Sequence, residues 1–195
     1  MGLLGFWEKA MTTLALLGAA ACLSILIGIP LGMFCARRPR FYSFFIQPIM
    51  DFMQTMPAFV FMIPVIAFFG TGKPAAVVTT MIFGGTPVVR LTVLGLRGVP
   101  DSVREAAISF GANKWYLLTR VDLPLASPSN RAGINQTFML SLAMVVVASL
   151  IGAKGLGEDV LEALQYANVG QGILAGFAIL FCAMILDRIV QGERK

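Results

Sequence analysis

The chain has 195 residues, of which 57% are hydrophobic and 13% are charged, and its 15 Lys and Arg outnumber its 10 Asp and Glu. A soluble domain has roughly 45–50% apolar and about 25% charged residues, so this composition excludes a water-soluble globule and places much of the surface in lipid. The net charge of +5 does not indicate a nucleic-acid partner, because most of the charges lie between long apolar runs.

Five apolar runs follow one another along the chain. A bilayer core of ~30 Å requires about 20 apolar residues as a helix, and the predicted spans cover residues 10–36, 41–72, 74–96, 132–153 and 163–186. These runs are apolar on every face, whereas the strands of a membrane barrel alternate apolar and polar residues over about ten positions. The sequence therefore predicts one all-α, polytopic membrane domain over residues 1–195.

The first run contains Cys22 directly after three alanines, but its apolar stretch exceeds the roughly 7–15 residues of a signal-peptide core. It therefore predicts a span that the mature chain retains. Cys22, Cys35 and Cys182 all lie in apolar runs without a C-x-x-C spacing, and the chain has no His. No disulfide, zinc site or other metal site is predicted.

The second run carries one charge, Asp51, which we expect either near the membrane interface or paired with a basic residue. Polar groups in lipid are costly, so the polar residues of the second and fourth runs are predicted to line a path across the membrane or to make interhelical hydrogen bonds. The path candidates are Gln54, Thr55, Pro57, Asn135, Gln136, Thr137 and Ser141.

The basic residues are unevenly distributed among the connections. With the N-terminus outside, Lys9, Lys73 and Lys154 are the outer basic residues, and twelve of the 15 lie inside. Inner loops collect Lys and Arg, so the sequence predicts the N-terminus outside and the C-terminus in the cytoplasm. The inner residues are Arg37, Arg38, Arg40, Arg90, Arg97, Arg104, Lys114, Arg120, Arg131, Arg188, Arg194 and Lys195. The connection at 153–170 then lies outside or dips back into the membrane.

The longest polar segment, residues 97–131, is then a cytoplasmic loop in which we predict two short helices. Ser102 and Glu105 have the spacing of a capping box at a helix N-terminus. Gly111 is suited to end that helix as a left-handed C-cap. Pro124 predicts the end of the second helix, because proline cannot continue a helical hydrogen-bond ladder.

The same segment contains Glu105-Ala106-Ala107, then Gly111, then Val121 and Leu123-Pro124, directly before the penultimate span. This pattern resembles the EAA loop of binding-protein-dependent ABC import permeases. The resemblance implies a five-helix type I ABC importer permease core in the bacterial inner membrane. It also implies a coupling helix that docks in a groove of a separate ATPase subunit, with the coupling residues Arg104, Glu105, Ala106, Ala107, Gly111, Leu123 and Pro124.

Further segments are similar to the glycine betaine/proline betaine and choline branch of these permeases, and the similarity runs from about Gly5 onward. They are Gln54-Thr55-Met56-Pro57-Ala58-Phe59, Gly133-Ile134-Asn135-Gln136-Thr137, Ile151-Gly152-Ala153-Lys154-Gly155-Leu156-Gly157 and Asn168-Val169-Gly170-Gln171-Gly172. Some members of this branch carry an additional N-terminal region. The resemblance implies a path for a compatible solute such as glycine betaine, proline betaine or choline. It also implies a second permease copy and a periplasmic or extracellular substrate-binding protein as partners.

The sequence contains no Gly-x-x-x-x-Gly-Lys-Ser/Thr phosphate loop. We therefore expect no cofactor in this chain, with ATP and Mg²⁺ bound by the partner ATPase. With no His and no Gly-x-Ser-x-Gly, no catalytic residue is predicted and the chain is not itself an enzyme. Two alternatives stay open: a methionine-type amino-acid importer permease, because the coupling loop is shared across that wider group, and an ATP-independent channel or secondary carrier.

Overall fold

The computed structural model describes the backbone of residues 2–191 and the side chains of residues 6–189. Over this range the predicted all-α class is confirmed, and Arg194 and Lys195 of the predicted charge pattern lie outside the described residues. The helices are α1 (Gly2–Arg37), α2 (Pro39–Thr55), α3 (Ala58–Phe69), α4 (Lys73–Arg97), α5 (Asp101–Ser109), α6 (Lys114–Ser149), α7 (Leu156–Gln165) and α8 (Val169–Gln191).

Helices α1, α4, α6 and α8 are each long and apolar enough to cross a membrane. Helices α2 and α3 pass the same test of length and composition only as a pair, and this pair is bent by 107°, as in a broken span or a re-entrant loop. Residues 41–72, predicted as one span, therefore consist of two helices separated by a sharp bend. Pro57 has no N–H and restricts the residue before it, so that Met56 is extended with φ −77° and ψ 140°. Helix α2 consequently ends at Thr55, and α3 begins at Ala58.

Helix α4 is central and packs against both α1 and α6. Gly28 and Gly32 of α1 allow a close approach: a Cβ at Gly28 would lie 2.4 Å from Val88 Cγ1, and one at Gly32 would lie 2.7 Å from Thr92 Cβ. This Gly-x-x-x-Gly pair therefore serves packing within the protomer. A buried cluster beside it joins α1, α2 and α4 through Cys35, Tyr42, Met50, Val88, Val89 and Val93.

Helix α6 begins at Lys114, inside the segment predicted to be a loop, and Pro124 lies within it. The prediction that Pro124 ends a short helix is therefore wrong. A π-helical turn over Leu117–Asp122 ends two residues before this proline. Its wider hydrogen-bond pattern accommodates the carbonyl that proline leaves without a donor. Pro48 of α2 follows the π-helical turn Tyr42–Ile46 in the same way.

Helix α7 occupies the connection for which the sequence left two placements open. A Cβ at Gly157 would lie 2.4 Å from a backbone carbonyl oxygen of α6, so α7 begins in close contact with that helix. The Leu156 N–H donates to Thr13 Oγ1 of α1 at 2.9 Å. Lys9 of α1 forms an ion pair with Asp159 of α7. These contacts fix α7 against both α1 and α6.

Candidate functional site

Helix α5 and the turns on either side of it form a projection between α4 and α6, which we call the elbow (residues 98–113). Its helix begins at Asp101, and the N-cap residue is Pro100, without a side-chain capping bond. The predicted capping box starting at Ser102 is therefore wrong, because Ser102 already lies inside the first turn. The Asp101 carboxylate in that turn still interacts favourably with the positive end of the helix dipole.

The outward surface of the elbow carries several apolar side chains, which the rest of the protomer leaves uncovered. Phe110 is 93% exposed, and Val103 and Ile108 are also exposed, as are the predicted coupling residues Glu105 and Ala106. Large exposed apolar side chains that lie together make this surface a candidate for contact with another protein. Sequence reasoning missed Phe110, although an aromatic residue directly before a glycine in a polar segment was the signal available.

Gly111 ends the elbow helix as predicted, with φ +87°. Its N–H donates to Ile108 O at 2.8 Å, and the Ala112 N–H donates to Ala107 O at 3.0 Å, which together form a Schellman motif. Among the described residues other than its chain neighbours, none has an atom within 4 Å of a Cβ built at Gly111. Glycine is therefore favoured here by the backbone conformation alone, and the predicted left-handed C-cap is confirmed.

Arg104 clamps the elbow to the membrane-spanning helices. Its Nε donates to Asp122 Oδ1 of α6 at 2.8 Å, and its Nη2 donates to Leu96 O of α4 at 2.6 Å. A third, longer bond of 3.4 Å joins Nη1 to Asp101 Oδ1. The side chains of Arg104 and Asp122 are 28% and 14% exposed. Arg104 is one of the predicted coupling residues, and within the protomer its guanidinium bonds α4, α6 and the first turn of the elbow helix.

Leu123 and Pro124, the end of the coupling pattern, lie on α6 directly after Asp122. Leu123 is half-buried and Pro124 is exposed. The pattern therefore extends over two elements, the elbow and the first turns of α6, which the Arg104–Asp122 pair connects. A cavity of about 390 Å³ lies beside this clamp, between the ends of α1 and α4 and the start of α6, and its charged lining residues are Arg37, Arg97, Arg104, Lys114 and Asp122.

The seven path candidates fall into two groups. Five are wholly or partly open on the protomer surface: Gln54, Thr55, Pro57, Asn135 and Gln136. Thr137 and Ser141 are fully buried, and Ser141 Oγ lies 2.7 Å from the position of a Cβ at Gly84 of α4. These two residues therefore pack α6 against α4, whereas the first five retain open surfaces.

Asp51 is paired with a basic residue, one of its two predicted placements. Its partner is Arg90 of α4, and the two side chains are 52% and 39% exposed. Opposite charges therefore join α2 to α4, although the sharp bend and α3 lie between these helices in the chain. Sequence reasoning did not identify Arg90 as the partner, because nothing in the spacing of residues 51 and 90 shows that they face each other.

Among the described side chains, no group of three or more His, Cys, Asp or Glu is placed so that it could hold a metal ion. The thiols of Cys22, Cys35 and Cys182 are free. The features that the site offers are therefore an exposed elbow, its clamp and a polar surface on the spans.

Residues 28–191 match the family model of the binding-protein-dependent transport system inner membrane component. The chain is 46% identical over 191 residues to the glycine betaine/proline betaine transport system permease protein ProW of Escherichia coli. It is 47% identical over 192 residues to the glycine betaine/carnitine transport permease protein GbuB of Listeria monocytogenes. Each alignment covers 98% of this chain, but 54% of ProW and 68% of GbuB. The chain thus spans about half the length of the first relative and two thirds of the second.

The fold is similar to that of a solved chain of the MetNI methionine ABC transporter in an inward-facing conformation. The TM-score is 0.78, and the superposition covers 98% of this chain and 92% of that chain. The sequences are 22% identical, so this likeness concerns the fold alone. It confirms the fold class predicted from the coupling-loop resemblance.

Proposed function

The chain belongs to the family of binding-protein-dependent transport system inner membrane components, and we propose that it is the permease subunit of an ATP-driven importer for a betaine-type compatible solute. Its spans would form the path for glycine betaine, proline betaine or choline. The names of ProW and GbuB, at 46% and 47% identity, support this substrate class. Both alignments cover 98% of this chain, so they include the elbow and the path candidates.

The observation that carries the proposal is the elbow. Arg104 fixes it to two spans by hydrogen bonds of 2.8 and 2.6 Å, while Phe110 on its far side is 93% exposed. A surface of this kind is suited to receive movement from a partner and to pass it to the spans. The partner proposed is an ATPase subunit that binds ATP and Mg²⁺, since this sequence contains no phosphate loop. The chain itself is then not an enzyme.

The remaining proposed partners are a second permease copy, a periplasmic or extracellular substrate-binding protein and the surrounding lipid. Gln54 and Thr55 lie on an open face of one protomer, so another copy opposite this face would complete a path between them. The uneven distribution of basic residues among the connections favours an N-terminus outside the membrane and an elbow in the cytoplasm. The homodimer would then alternate between outward-facing and inward-facing states.

Two alternatives have less support. An amino-acid importer rests on the fold likeness to MetNI at 22% identity, and a fold does not determine a substrate. An ATP-independent channel or carrier leaves the exposed elbow without a role. The betaine-type importer accounts for both the relatives and the elbow.

The test is uptake of labelled glycine betaine by the permease reconstituted in liposomes with its ATPase and binding protein. We expect uptake that requires ATP hydrolysis, stops when the ATPase is omitted and is competed by unlabelled proline betaine. Uptake of methionine without uptake of betaine would favour the amino-acid alternative. Flux in the absence of both ATP and partners would contradict the importer itself.

A further inference from the structure

The second half of helix α2 carries a polar stripe, which consists of Gln47, Asp51, Gln54 and Thr55. Their spacing places the four side chains on one face of the helix, and all four are exposed. Met50, on the flank of the stripe next to Gln54, is buried against α1 and α4. Lipid cannot solvate carboxylates and amides, so the stripe of an assembled transporter must face water or polar groups.

The Asp51–Arg90 ion pair lies within this stripe. Arg90 is about 10 Å, or two helical turns, along α4 from Arg97 at the end of that helix. One bond joins the two side chains, from Arg90 Nη2 to Asp51 Oδ1. A guanidinium has five N–H groups and a carboxylate has two oxygens. Both partly exposed charges therefore have hydrogen-bonding positions left for a ligand that moves along the stripe.

We propose that the Asp51–Arg90 pair is a binding site for a zwitterionic solute within the transport path. The Arg90 guanidinium binds the solute carboxylate, and the Asp51 carboxylate lies against its quaternary ammonium group. This inference rests on the proposed function and names the chemistry by which the path recognises its substrate. Glycine betaine, proline betaine and carnitine, which appear in the names of ProW and GbuB, all carry one carboxylate and one quaternary ammonium.

Charge balance explains why a zwitterion fits this pair better than an ion. The pair has no net charge. When a zwitterion binds, its carboxylate replaces Asp51 as the partner of Arg90 and its ammonium replaces Arg90 as the partner of Asp51, so that no charge is left uncompensated. Arg–carboxylate contacts are strong and directional. The closed ion pair competes with the solute, which keeps binding weak enough for release, as passage through a path requires. A solute with only one of the two charges would leave either Asp51 or Arg90 unpaired, so choline, which has no carboxylate, should bind this pair less well than glycine betaine.

The rival role for the pair is structural, in which it only holds α2 against α4. The double variant Asp51→Asn with Arg90→Gln separates the two roles, because it removes both charges and leaves neither unpaired. If the role is structural, the double variant should recover what the single variants lose. If the pair binds substrate, the double variant should assemble and hydrolyse ATP but remain defective in transport.

The experiment measures labelled glycine betaine uptake, ATP hydrolysis and thermal unfolding for the reconstituted complex with its ATPase and binding protein. We expect the double variant to retain assembly and ATP hydrolysis while uptake falls roughly tenfold or more, since charge-assisted contacts are lost. Arg90→Lys, which keeps the charge but not the guanidinium fork, should retain more uptake than the double variant but less than the wild type. The matched control is Lys9→Gln with Asp159→Asn, which neutralises an ion pair outside the stripe and should leave uptake within about twofold.

The outcomes separate the two proposals. Wild-type complex that takes up no betaine overturns the proposed function together with this site. Wild-type uptake accompanied by normal uptake in the double variant overturns the zwitterion site alone. Loss of uptake in the double variant, with assembly and ATP hydrolysis intact, supports the site.

Discussion

Replacing Arg104 with Gln should detach the elbow from the spans. The change removes the bonds of 2.8 Å to Asp122 and 2.6 Å to the Leu96 carbonyl, and it leaves Asp122 without its cation. Breaking a buried ion pair costs about 3–5 kcal/mol, and an exposed pair contributes about 0–1 kcal/mol. Because the two side chains are 28% and 14% exposed, we expect a loss of about 2 kcal/mol, between these limits.

The functional consequence should be a lower ratio of solute transported to ATP hydrolysed. The exposed surface around Phe110 stays intact, so the ATPase should still bind and hydrolyse ATP while less of its movement reaches the spans. Arg104→Lys should be intermediate, because one ammonium cannot replace the guanidinium fork. Arg120→Gln is the matched control, since Arg120 is an exposed basic residue of the neighbouring π-helical turn. An Arg104→Gln variant with wild-type stability and wild-type transport per ATP would refute the clamp.

Gly111→Val should destabilise the elbow by about 1–2 kcal/mol because valine resists positive φ, whereas Gly111→Asn should have a smaller effect. Thermal unfolding measures the stability of the two variants, and solute uptake per ATP hydrolysed measures their coupling. Normal coupling in the valine variant would contradict a fixed elbow angle. Gly157→Ala should cost about 1–3 kcal/mol by overpacking, since its Cβ would lie 2.4 Å from an α6 carbonyl oxygen. The control Gly176→Ala should melt as wild type, because no neighbouring helix or side chain among the described residues lies within 4 Å of its Cβ. Lys9→Gln should lower stability by about 1–2 kcal/mol, because it leaves the carboxylate of Asp159 buried and unpaired. Adding Asp159→Asn should restore most of the lost stability. Equal melting temperatures of the wild type, the single variant and the double variant would show that the pair is not stabilising.

Composition and local chemistry were sufficient to predict the all-α class and the end of the elbow helix. An apolar run without charges can satisfy its backbone in lipid only as a helix or a closed barrel, so residues such as those of α1 and α8 leave few choices. Gly111 was predictable for a similar reason, because a Schellman cap is a local motif whose hydrogen bonds involve neighbouring residues. Such features depend on short stretches of sequence and on the solvent.

Prolines were harder to interpret, since the same residue type breaks one helix and lies within another. Pro57 ends α2 and produces the bend of 107°, whereas Pro124 is carried by α6 after a π-helical turn. The outcome depends on whether the preceding turn can widen to accommodate the free carbonyl. That choice is made by packing around the helix, which one sequence does not show.

The polar residues of the spans show the same limit. Thr137 and Asn135 are neighbours in sequence and were equal candidates for the path, yet Thr137 is fully buried and Asn135 is half-exposed. A span that is apolar on most faces gives no amphipathic pattern to orient it. In α2, by contrast, four polar side chains share one face, and there the pattern alone would have identified the exposed stripe.

Helix α4 connects the elbow clamp to the proposed zwitterion site. Arg104 binds the carbonyl of Leu96, and Arg90 lies about 9 Å from Leu96 along the same helix. Pro87 precedes both positions and removes one helical hydrogen bond there, and we expect the segment after it to move as one piece when the elbow moves. A displacement of the elbow is then applied to the helical segment that carries Arg90, which would change its position relative to Asp51. The Arg104→Gln variant and the neutralised ion pair should therefore fail alike, with ATP hydrolysed and little solute moved.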